Sequence, residues 1–540
     1  MYGIAVAVTV VYINILMEGF LMRKKKLLSL ALIAAMAMGL MTGCGKGESS
    51  AAGGDADTSE HVTLKWYLHG SNVTDDSAVM EKVNEYLDEK LNMTLEPIWG
   101  TWADFDEGST LALGGGDDID IYFTCSWSAD EYNKYAKDGY WVRLDDPENN
   151  LLAQYGSDIW EVLPDVLKVG AETDGADGYG VYALPGFKDF GTQNTWDVNV
   201  TLLKELGYTL EDVENRSYFE FGELLQAAKD AKGDDFYPLM IEPMVLERMV
   251  TNSIIVNGDA GACNVLSYYI DSEDVSKDIG SKIVNKFATE EYKKYVEKTR
   301  EYYLAGYIDP AFGNAQTAND TLLAKQKAAQ YLIGTQSYAL GYEVQTSKER
   351  GIEVAYVPCT PPYVDKTSTQ GAMMAISTTC DHPDRAMAFL NLLNTDAKLM
   401  TLLAYGVEDI HYTLNDDGLV VFNDEQHANY IPWRNGMGNI TLLPPQEGEG
   451  KDFFTETFIP YYSSAKGIPA FGYVFDPTNV ETELAALANV AGQYALALDA
   501  GTVDPETALP EFLQKLDDAG MQKVVDEANK QLDSYFESQE

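Results

Sequence analysis

The sequence predicts an α/β protein built from more than one lobe. From His61 onward, strand-like and helix-like stretches alternate, which is the rhythm of a mostly parallel sheet with helices on both sides. The run "IDIYFTCSW" is almost continuously apolar, as strands buried on both faces are. About 480 residues follow the polar N-terminal stretch, which is more than one hydrophobic core usually holds. We therefore expect at least two lobes.

The individual elements follow from the spacing of apolar residues. The first part of the chain predicts strand, helix, strand, helix and strand, in the order "VTLKWYL", "SAVMEKVNEYLDEKLN", "MTLEPIW", "DFDEGSTLALGGGDD" and "IDIYFTCSW". An Asp-Gly turn then leads into a strand that ends at Pro185. Long helical patterns such as "TEEYKKYVEKTREYYLAG" predict a helix-rich second lobe, and the last 60 residues are helical apart from a break at Gly501–Pro505.

The N-terminus carries the parts of a secretory signal. Met22–Lys26 reads "MRKKK", Leu27–Met41 is almost wholly apolar, and small residues follow. The apolar run of about 15 residues is shorter than the roughly 20 that span a bilayer, so we expect cleavage rather than a permanent anchor. Residues 1–21 form a second apolar stretch. We interpret Met22 as the start of the protein, and the alternative is a transmembrane helix ahead of the signal.

The residues "MTGC", which end at Cys44, resemble the bacterial lipobox. In a lipobox the signal is cut before the cysteine, and the thiol carries a diacylglycerol. The resemblance implies a lipid anchor on Cys44; the alternative is an ordinary secreted protein in which Cys44 merely follows the signal. Residues 44–60 are rich in Gly, Ser, Ala and Asp and cannot bury enough apolar surface to fold, so we expect a flexible tether.

Composition excludes nucleic acid as a partner. The chain has 38 Lys and Arg against 85 Asp and Glu, a formal charge of −47 that repels phosphates. Since 46% of the residues are hydrophobic, this acidity indicates solubility rather than disorder and says nothing about the ligand. Cys125, Cys263, Cys359 and Cys380 are widely spaced and form no metal-ligand motif. We expect free thiols, no bound metal and no cofactor.

Several further segments occur in a specific order along the chain. They are "GGGDDIDIYF", "GYGVYALPG", "KQKAAQYLIG", "AMMAISTTCDHPDRAMAFLNLL" and "YGVEDIHYTL", followed by the helical tail. With the lipobox, this order resembles the bacterial extracellular solute-binding proteins of carbohydrate ABC importers, in their lipoprotein branch. The tail is similar to the uncharacterised C-terminal domain found in that branch. The resemblance covers most of residues 61–540.

The resemblance implies a two-lobe periplasmic-binding-protein-like fold (type II) that closes on its ligand, with a helical C-terminal extension. We expect residues 61–188 and 335–378 to form lobe 1, residues 189–334 and 379–480 to form lobe 2, and residues 481–540 to pack on lobe 2. It also implies a lipid-anchored monomer at the extracellular face of the cell membrane. Such a protein hands a sugar or oligosaccharide to the permease subunits of an ABC importer.

The candidate binding residues follow strand-like runs. Ligands of open α/β sheets bind off the carboxyl ends of strands, so the loops after "KWYL", "IYFTC" and "TWDV" are where side chains converge. Sugar rings need flat apolar faces together with amides or carboxylates for hydroxyl groups, and core packing is the alternative for each tryptophan. We expect Trp127 and Trp196 to stack on sugar rings and Asp197 to accept hydroxyl protons. The full candidate set is His69, Trp102, Ser126, Trp127, Trp196, Asp197 and Trp433.

No enzyme motif stands out in the chain. GxSxG, HExxH and Walker A patterns are absent from the sequence, and we expect a binding protein rather than an enzyme. A surface glycoside hydrolase, which needs two carboxyl groups about 5 to 9 Å apart, is one alternative. An adhesive lipoprotein is another, and aromatic and amide linings also serve a peptide or another polar solute.

The lipobox generates a direct prediction. The mature chain should begin at Cys44 with a lipid on its thiol, and Cys44→Ala expressed in the native host should be released or remain an uncleaved precursor. Mass spectrometry of the N-terminal peptide from a membrane extract checks this. An unmodified Cys44 in the wild-type protein would rule out the anchor.

Overall fold

The computed structural model describes residues 56–101, 104–128, 131–258, 264–337 and 340–539. The signal, Cys44 and most of the expected tether lie outside these residues, as do Trp102 and Cys263. The strands of the described residues are β1 Val62–Val73, β2 Met93–Gly100, β3 Ile121–Thr124, β4 Glu172–Gly175, β5 Gly178–Val181, β6 Ala183–Pro185, β7 Asn194–Asn199, β8 Leu239–Met240, β9 Ser253–Ile255, β10 Leu266–Tyr269, β11 Val284–Asn285, β12 Ile333–Ser337, β13 Val354–Pro358, β14 Tyr363–Val364, β15 Met373–Ile376, β16 Tyr412–Leu414, β17 Val420–Phe422, β18 Tyr430–Pro432 and β19 Lys466–Gly467.

Helices lie between and around these strands. They are α1 Ser77–Leu91, α2 Phe105–Gly115, α3 Tyr132–Lys137, α4 Leu151–Tyr155, α5 Ser157–Val162, α6 Asp165–Ala171, α7 Val200–Glu205, α8 Glu211–Glu214, α9 Gly222–Lys232, α10 Pro243–Thr251, α11 Glu290–Leu304, α12 Ala318–Lys327, α13 Tyr342–Arg350, α14 Lys366–Thr369, α15 Pro383–Thr395, α16 Ala397–Tyr405, α17 Asp424–His427, α18 Ile459–Ser464, α19 Glu481–Asp499, α20 Pro505–Asp518 and α21 Met521–Gln539. None of the helices in the described part of the chain combines the length and apolar character needed to cross a membrane.

The first lobe is built on a sheet in the order β18-β1-β3-β15-β6, with β2 also paired to β1. The long strand β1 pairs in parallel with β2 and β3, whereas β15 and β18 run antiparallel to their neighbours. The predicted α/β class is confirmed. The sheet is mixed rather than mostly parallel, because β15 and β18 come from later parts of the chain and return in the opposite direction.

The second lobe is built on a sheet in the order β13-β7-β12-β8. In this sheet β7 runs antiparallel to both β12 and β13, and only β12 and β8 are parallel. Every residue of β7 is buried, because side chains pack on both faces of this strand. A second hydrophobic core surrounds the sheet and is separate from the core of the first lobe.

Three segments of the chain cross between the two cores. The first leads from β6 to β7, the second from β13 through β14 and α14 to β15, and the third from α18 through β19. The three segments contact one another where they cross between the cores. Thr192 and Tyr363 exchange two backbone hydrogen bonds of 2.7 and 3.0 Å, and β14 pairs in parallel with β19. A Cβ at Gly191 would lie 3.3 Å from the Cβ of Ala465, so glycine allows the first and third segments to approach closely.

The extents of the lobes differ from those expected from the sequence. Residues between Ala386 and Tyr462 belong to the first core, whereas the sequence predicts lobe 2 for residues 379–480. Ile333 and its strand β12 belong to the second core, whereas the sequence predicts that lobe 1 resumes at residue 335. The physical reason is that α15 and α16 bury their apolar faces against the first sheet, whereas β12 is a strand of the second sheet.

The C-terminal helices α19, α20 and α21 are part of the second core. Their buried residues include Leu487, Phe512 and Leu532. A polar contact reinforces this packing: the hydroxyl of Tyr292, on α11, donates to Asp499 Oδ1 at 2.8 Å. Asp499 is the last residue of α19 and is 2% exposed.

Asp499 lies close to a buried ion pair between Lys286 and Glu247, whose Nζ and Oε2 are 3.2 Å apart. Burial is the main cause that raises the pKa of Asp499 to about 7; Glu247 adds to the rise, whereas Lys286 opposes it.

In the described part of the chain, no group of three or more His, Cys, Asp or Glu side chains is placed to hold a metal ion. Among the described residues, Cys125, Cys359 and Cys380 take part in no disulfide.

The buried Asp499 generates a pH-dependent prediction. The folded protein keeps this proton up to about pH 7, whereas the unfolded chain releases it near 3.8. The stabilisation from this group is therefore complete below pH 3.8 and is lost as the pH rises to 7. Asp499→Asn keeps an acceptor for Tyr292 without the charge. It should be more stable than wild type at pH 8 by ~1 kcal/mol or more.

Urea denaturation of both proteins at pH 4 and pH 8 measures this difference. Asp517→Asn, an exposed position on α20, is the matched control and should change little at either pH. A difference between Asp499→Asn and wild type that is the same at both pH values would contradict the prediction.

Candidate functional site

Aromatic side chains meet where three strands of the first sheet end. We call this group the aromatic cluster, and it consists of His69, Phe105, Phe123, Trp127 and Trp433. His69 lies on β1, Phe123 on β3 and Trp127 just after β3. Trp433 follows β18, which pairs with the end of β1, so strand pairing is what brings residues so far apart in sequence together.

His69 is the centre of the cluster. Its ring is 4% exposed and stacks on Phe105 with a centroid distance of 3.7 Å. Trp433 meets it edge-on at 5.8 Å, and Trp127 lies nearly parallel to it at 6.4 Å. Burial lowers the pKa of His69 to about 4, against the opposing charge of Asp104. The imidazole is therefore uncharged at neutral pH and contributes a flat ring rather than a charge.

Trp127 is the exposed member of the cluster. Its side chain is 44% exposed, and its Nε1 donates a 2.7 Å hydrogen bond to the carbonyl of Gly371. The neighbouring Ser126 is buried and its hydroxyl donates to the carbonyl of Thr367 at 2.7 Å. Both acceptors lie on the second crossing segment. The Trp127 ring is thus held at the junction of the lobes with much of its surface open to solvent.

Trp433 opens a turn of 3₁₀-helix, Arg434–Gly436, directly after β18. A Cβ at Gly436 would lie only 2.3 Å from Cε3 of the Trp433 ring. Glycine at this position therefore leaves room for the indole to lie back over its own turn. In this position the ring contacts Phe123 and Trp127 at 5.5 and 6.1 Å.

A cavity of about 280 Å³ lies beside Trp433, close to the ~300–1,000 Å³ typical of small-molecule sites. One wall is α13, which packs on β13 of the second lobe. The other walls come from the first lobe. The residues of interest in the lining are Tyr342, Thr346, Glu349, Phe422, His427, Trp433, Arg434 and Asn435. Trp433 therefore belongs both to the aromatic cluster and to a cavity that the two lobes share.

The structure brings together three of the seven candidate residues, His69, Trp127 and Trp433. Ser126 is buried next to Trp127, and its hydroxyl donates to the same crossing segment. Trp102 lies outside the described residues, so its expected role stays a prediction.

Trp196 and Asp197 lie elsewhere, inside the second lobe. Trp196 is 6% exposed and packs on Tyr218 and Phe221. Asp197 is fully buried and binds Arg350 Nη1 at 2.7 Å, while the hydroxyl of Tyr331 donates to it at 2.8 Å. Burial raises the pKa of Asp197, although Arg350 opposes this. Both residues were expected to bind the ligand, but they lie on β7, which is covered by protein on both faces. Neither side chain therefore reaches the cavity.

Sequence reasoning did not find the other cavity residues. The α13 residues Tyr342, Thr346 and Glu349 carry no recognisable motif, and their spacing only becomes meaningful once the helix faces the first lobe. Phe105 and Phe123 were assigned to a helix and a buried strand, which is correct but does not show that their rings reach His69. The sequence feature that indicates part of the cavity lining is the group of polar residues beside Trp433, in "IPWRNG".

Two α/β lobes joined by three crossing segments are the fold of solved two-lobe solute-binding proteins. The N-glycan transport solute binding protein NgtS from Streptococcus pneumoniae has this fold, with a TM-score of 0.74 at 23% identity over 89% of this chain and all of that one. An HMO-binding, ABC-transporter-associated solute binding protein from Bifidobacterium longum infantis gives a TM-score of 0.57 at 17% identity, over 88% of this chain and 99% of that one.

Sequence comparison points in the same direction. The chain is 26% identical over 520 residues to a carbohydrate ABC transporter substrate-binding protein of Streptococcus pneumoniae, which covers 95% of this chain and 99% of the relative. Residues 469–537 match a domain of unknown function, DUF3502. The resemblance identified from the sequence segments and the helical tail is confirmed.

The two tryptophan environments generate a stability prediction. Trp196→Ala should lose ~3–5 kcal/mol of unfolding free energy, because it empties a filled position in the second core. Trp127→Ala should lose only about 1 kcal/mol, since nearly half of that side chain is already exposed and one hydrogen bond is removed. Guanidinium denaturation of each variant measures this. Equal losses for the two variants would contradict the placement of Trp127 at an open surface.

Proposed function

We propose that this protein captures a sugar or oligosaccharide between its two lobes and delivers it to an ABC importer. The observation that carries the proposal is the aromatic cluster, with one exposed indole and a second that borders the shared cavity. The comparisons with carbohydrate substrate-binding proteins of the same architecture support it.

The chemistry of the cluster suits a carbohydrate. The C–H face of a pyranose is apolar and packs on flat rings, and the Trp127 and Trp433 indoles and the uncharged His69 ring are flat surfaces of this kind. The ring hydroxyls need donors and acceptors around the rim. The cavity beside Trp433 offers hydroxyl, amide and carboxylate groups on Thr346, Asn435 and Glu349.

Capture between lobes couples binding to closure. A ligand that contacts Trp127 on the first lobe and α13 on the second interacts with both lobes only when they are close together. It therefore favours the closed state by the difference in its affinity for the two states. The crossing segments are the natural pivot, because they are the chain connections between the cores.

The setting we propose is the extracellular face of the cell membrane. A lipid on Cys44 and the Gly/Ser/Ala/Asp-rich tether of residues 44–60 would hold a monomer near the permease subunits of its importer. One acyl chain binds a membrane only weakly, whereas two chains give a stable anchor, as the two chains of a diacylglycerol would here.

We propose that the protein binds its ligand without turning it over. Arg434 Nη2 binds the carboxylate of Glu449 at 3.1 Å, so this carboxylate is engaged in an ion pair. Incubation with a panel of neutral oligosaccharides and short peptides, followed by chromatography for products and calorimetry for binding, tests this directly. The appearance of shortened products would favour a glycoside hydrolase, and binding of peptides but no sugar would favour the peptide-binding alternative.

The proposal predicts the effect of removing the exposed indole. Trp127→Ala should weaken binding of the best oligosaccharide at least tenfold, which corresponds to about 1.4 kcal/mol, because buried aromatic contacts dominate such interfaces. Isothermal titration calorimetry measures this. Tyr179→Ala, which removes an exposed aromatic ring on β5 that is not part of the cluster, is the matched control and should bind as wild type does. Unchanged affinity in Trp127→Ala would refute the role of the cluster.

A further inference from the structure

The cavity beside Trp433 is separate from the exposed face of Trp127. Its volume is about 280 Å³, whereas the share of liquid volume of one water is only about 30 Å³. The cavity therefore has room for a group much larger than a few waters. Trp433 contacts Trp127 at 6.1 Å and also lines the cavity, so the exposed indole and the cavity are neighbours.

The walls of the cavity are suited to a ring-shaped group. Tyr342, Thr346 and Glu349 are spaced by four and three residues, which places them on one face of α13. Across the cavity, the rings of Phe422 and His427 stack on each other at 3.9 Å. Together with the Trp433 indole, these residues supply flat surfaces on several sides and polar atoms between them.

One residue of the cavity lining carries a buried acceptor. Asn435 is 6% exposed, and its Nδ2 donates to Asp189 Oδ1 and to the Tyr342 hydroxyl, both at 3.3 Å. Its Oδ1 is buried, and no described residue donates a hydrogen bond to it. A buried amide oxygen without a donor is costly in a folded protein. A ligand hydroxyl that reached this oxygen would satisfy it.

The charges around the cavity favour an uncharged occupant. Arg434 is the only cation among the described lining residues, and it is already bound to Glu449 at 3.1 Å and to the Tyr405 hydroxyl at 2.7 Å. Glu349 adds a carboxylate at the rim. A carboxylated sugar would face this carboxylate without a cation to pair with, and like charges side by side disfavour binding.

From these observations we infer that the cavity is a second sugar subsite, which takes a further, neutral sugar unit of a ligand whose neighbouring unit stacks on Trp127. The inference rests on the proposed function and extends it. It makes the ligand a neutral oligosaccharide rather than a monosaccharide or an acidic sugar. Asn435 Oδ1 accepts a hydroxyl in this subsite, and Trp433 borders both units.

Filling the cavity tests the subsite. Glu349 is exposed on α13, so Glu349→Trp should fold normally while placing an indole in the cavity. Lys348→Trp adds the same indole to the same helix at an exposed position that does not line the cavity, and is the matched control. Calorimetry with neutral gluco-, manno-, galacto- and fructo-oligosaccharides of one to six units measures affinity against length. Thermal unfolding of each variant confirms that it is folded.

In the wild type, affinity should rise at least tenfold from one unit to longer chains. Glu349→Trp should abolish that rise and Lys348→Trp should preserve it, whereas Trp127→Ala should weaken binding at every length. If Glu349→Trp binds all lengths as wild type does while Trp127→Ala binds weakly, the second subsite is wrong and the proposed function stands. If the wild type binds no member of the panel, the proposed function and the subsite both fall.

Charge is tested separately with Glu349→Gln, which keeps the shape of the side chain. Oligosaccharides that end in a uronic acid should bind wild type at least tenfold more weakly than their neutral counterparts, and Glu349→Gln should narrow that gap about threefold or more. Equal affinity of the wild type for neutral and acidic counterparts would overturn the assignment of a neutral ligand.

Discussion

The pairing of the three crossing segments is the constraint on which the rest of the structure depends. Thr192, Tyr363 and the β19 strand come from parts of the chain that are far apart, yet they share one small set of backbone hydrogen bonds. These bonds fix the distance between the two cores at one place and leave the cores separate elsewhere. A cavity with one wall from each lobe is a consequence of that arrangement.

The aromatic cluster depends on the same junction. Ser126 and Trp127 extend from β3, but their hydrogen bonds go to Thr367 and Gly371 on the second crossing segment. The exposed indole is therefore held by the same segment that connects the two cores, and its position depends on how that segment packs against the end of β3.

The sequence predicted local features well and long-range ones poorly. The α/β elements could be predicted, and so could the approach of His69, Trp127 and Trp433 to one another, because strand ends and tryptophans in loops are visible in local patterns. Their role in binding stays a prediction. The return of residues 386–462 to the first core could not be predicted. The pattern of an amphipathic helix shows that the helix has an apolar face, but it does not show which sheet that face covers. The prediction for Trp196 is wrong for the same reason. The sequence pattern around a tryptophan at a strand end is the same whether its ring faces solvent or packs against another layer of protein.

Asp197 shows how a residue can affect a binding site without touching a ligand. Its partner Arg350 is the last residue of α13, one position after Glu349 and so about 100° around the helix from it. The ion pair thus ties one face of α13 to the second core while another face lines the cavity. Removing one partner of a buried pair costs about 3–5 kcal/mol, enough to shift or loosen the helix. A loss of affinity on changing Asp197 would therefore report the position of the cavity wall, and direct contact with a sugar would not be needed to explain it.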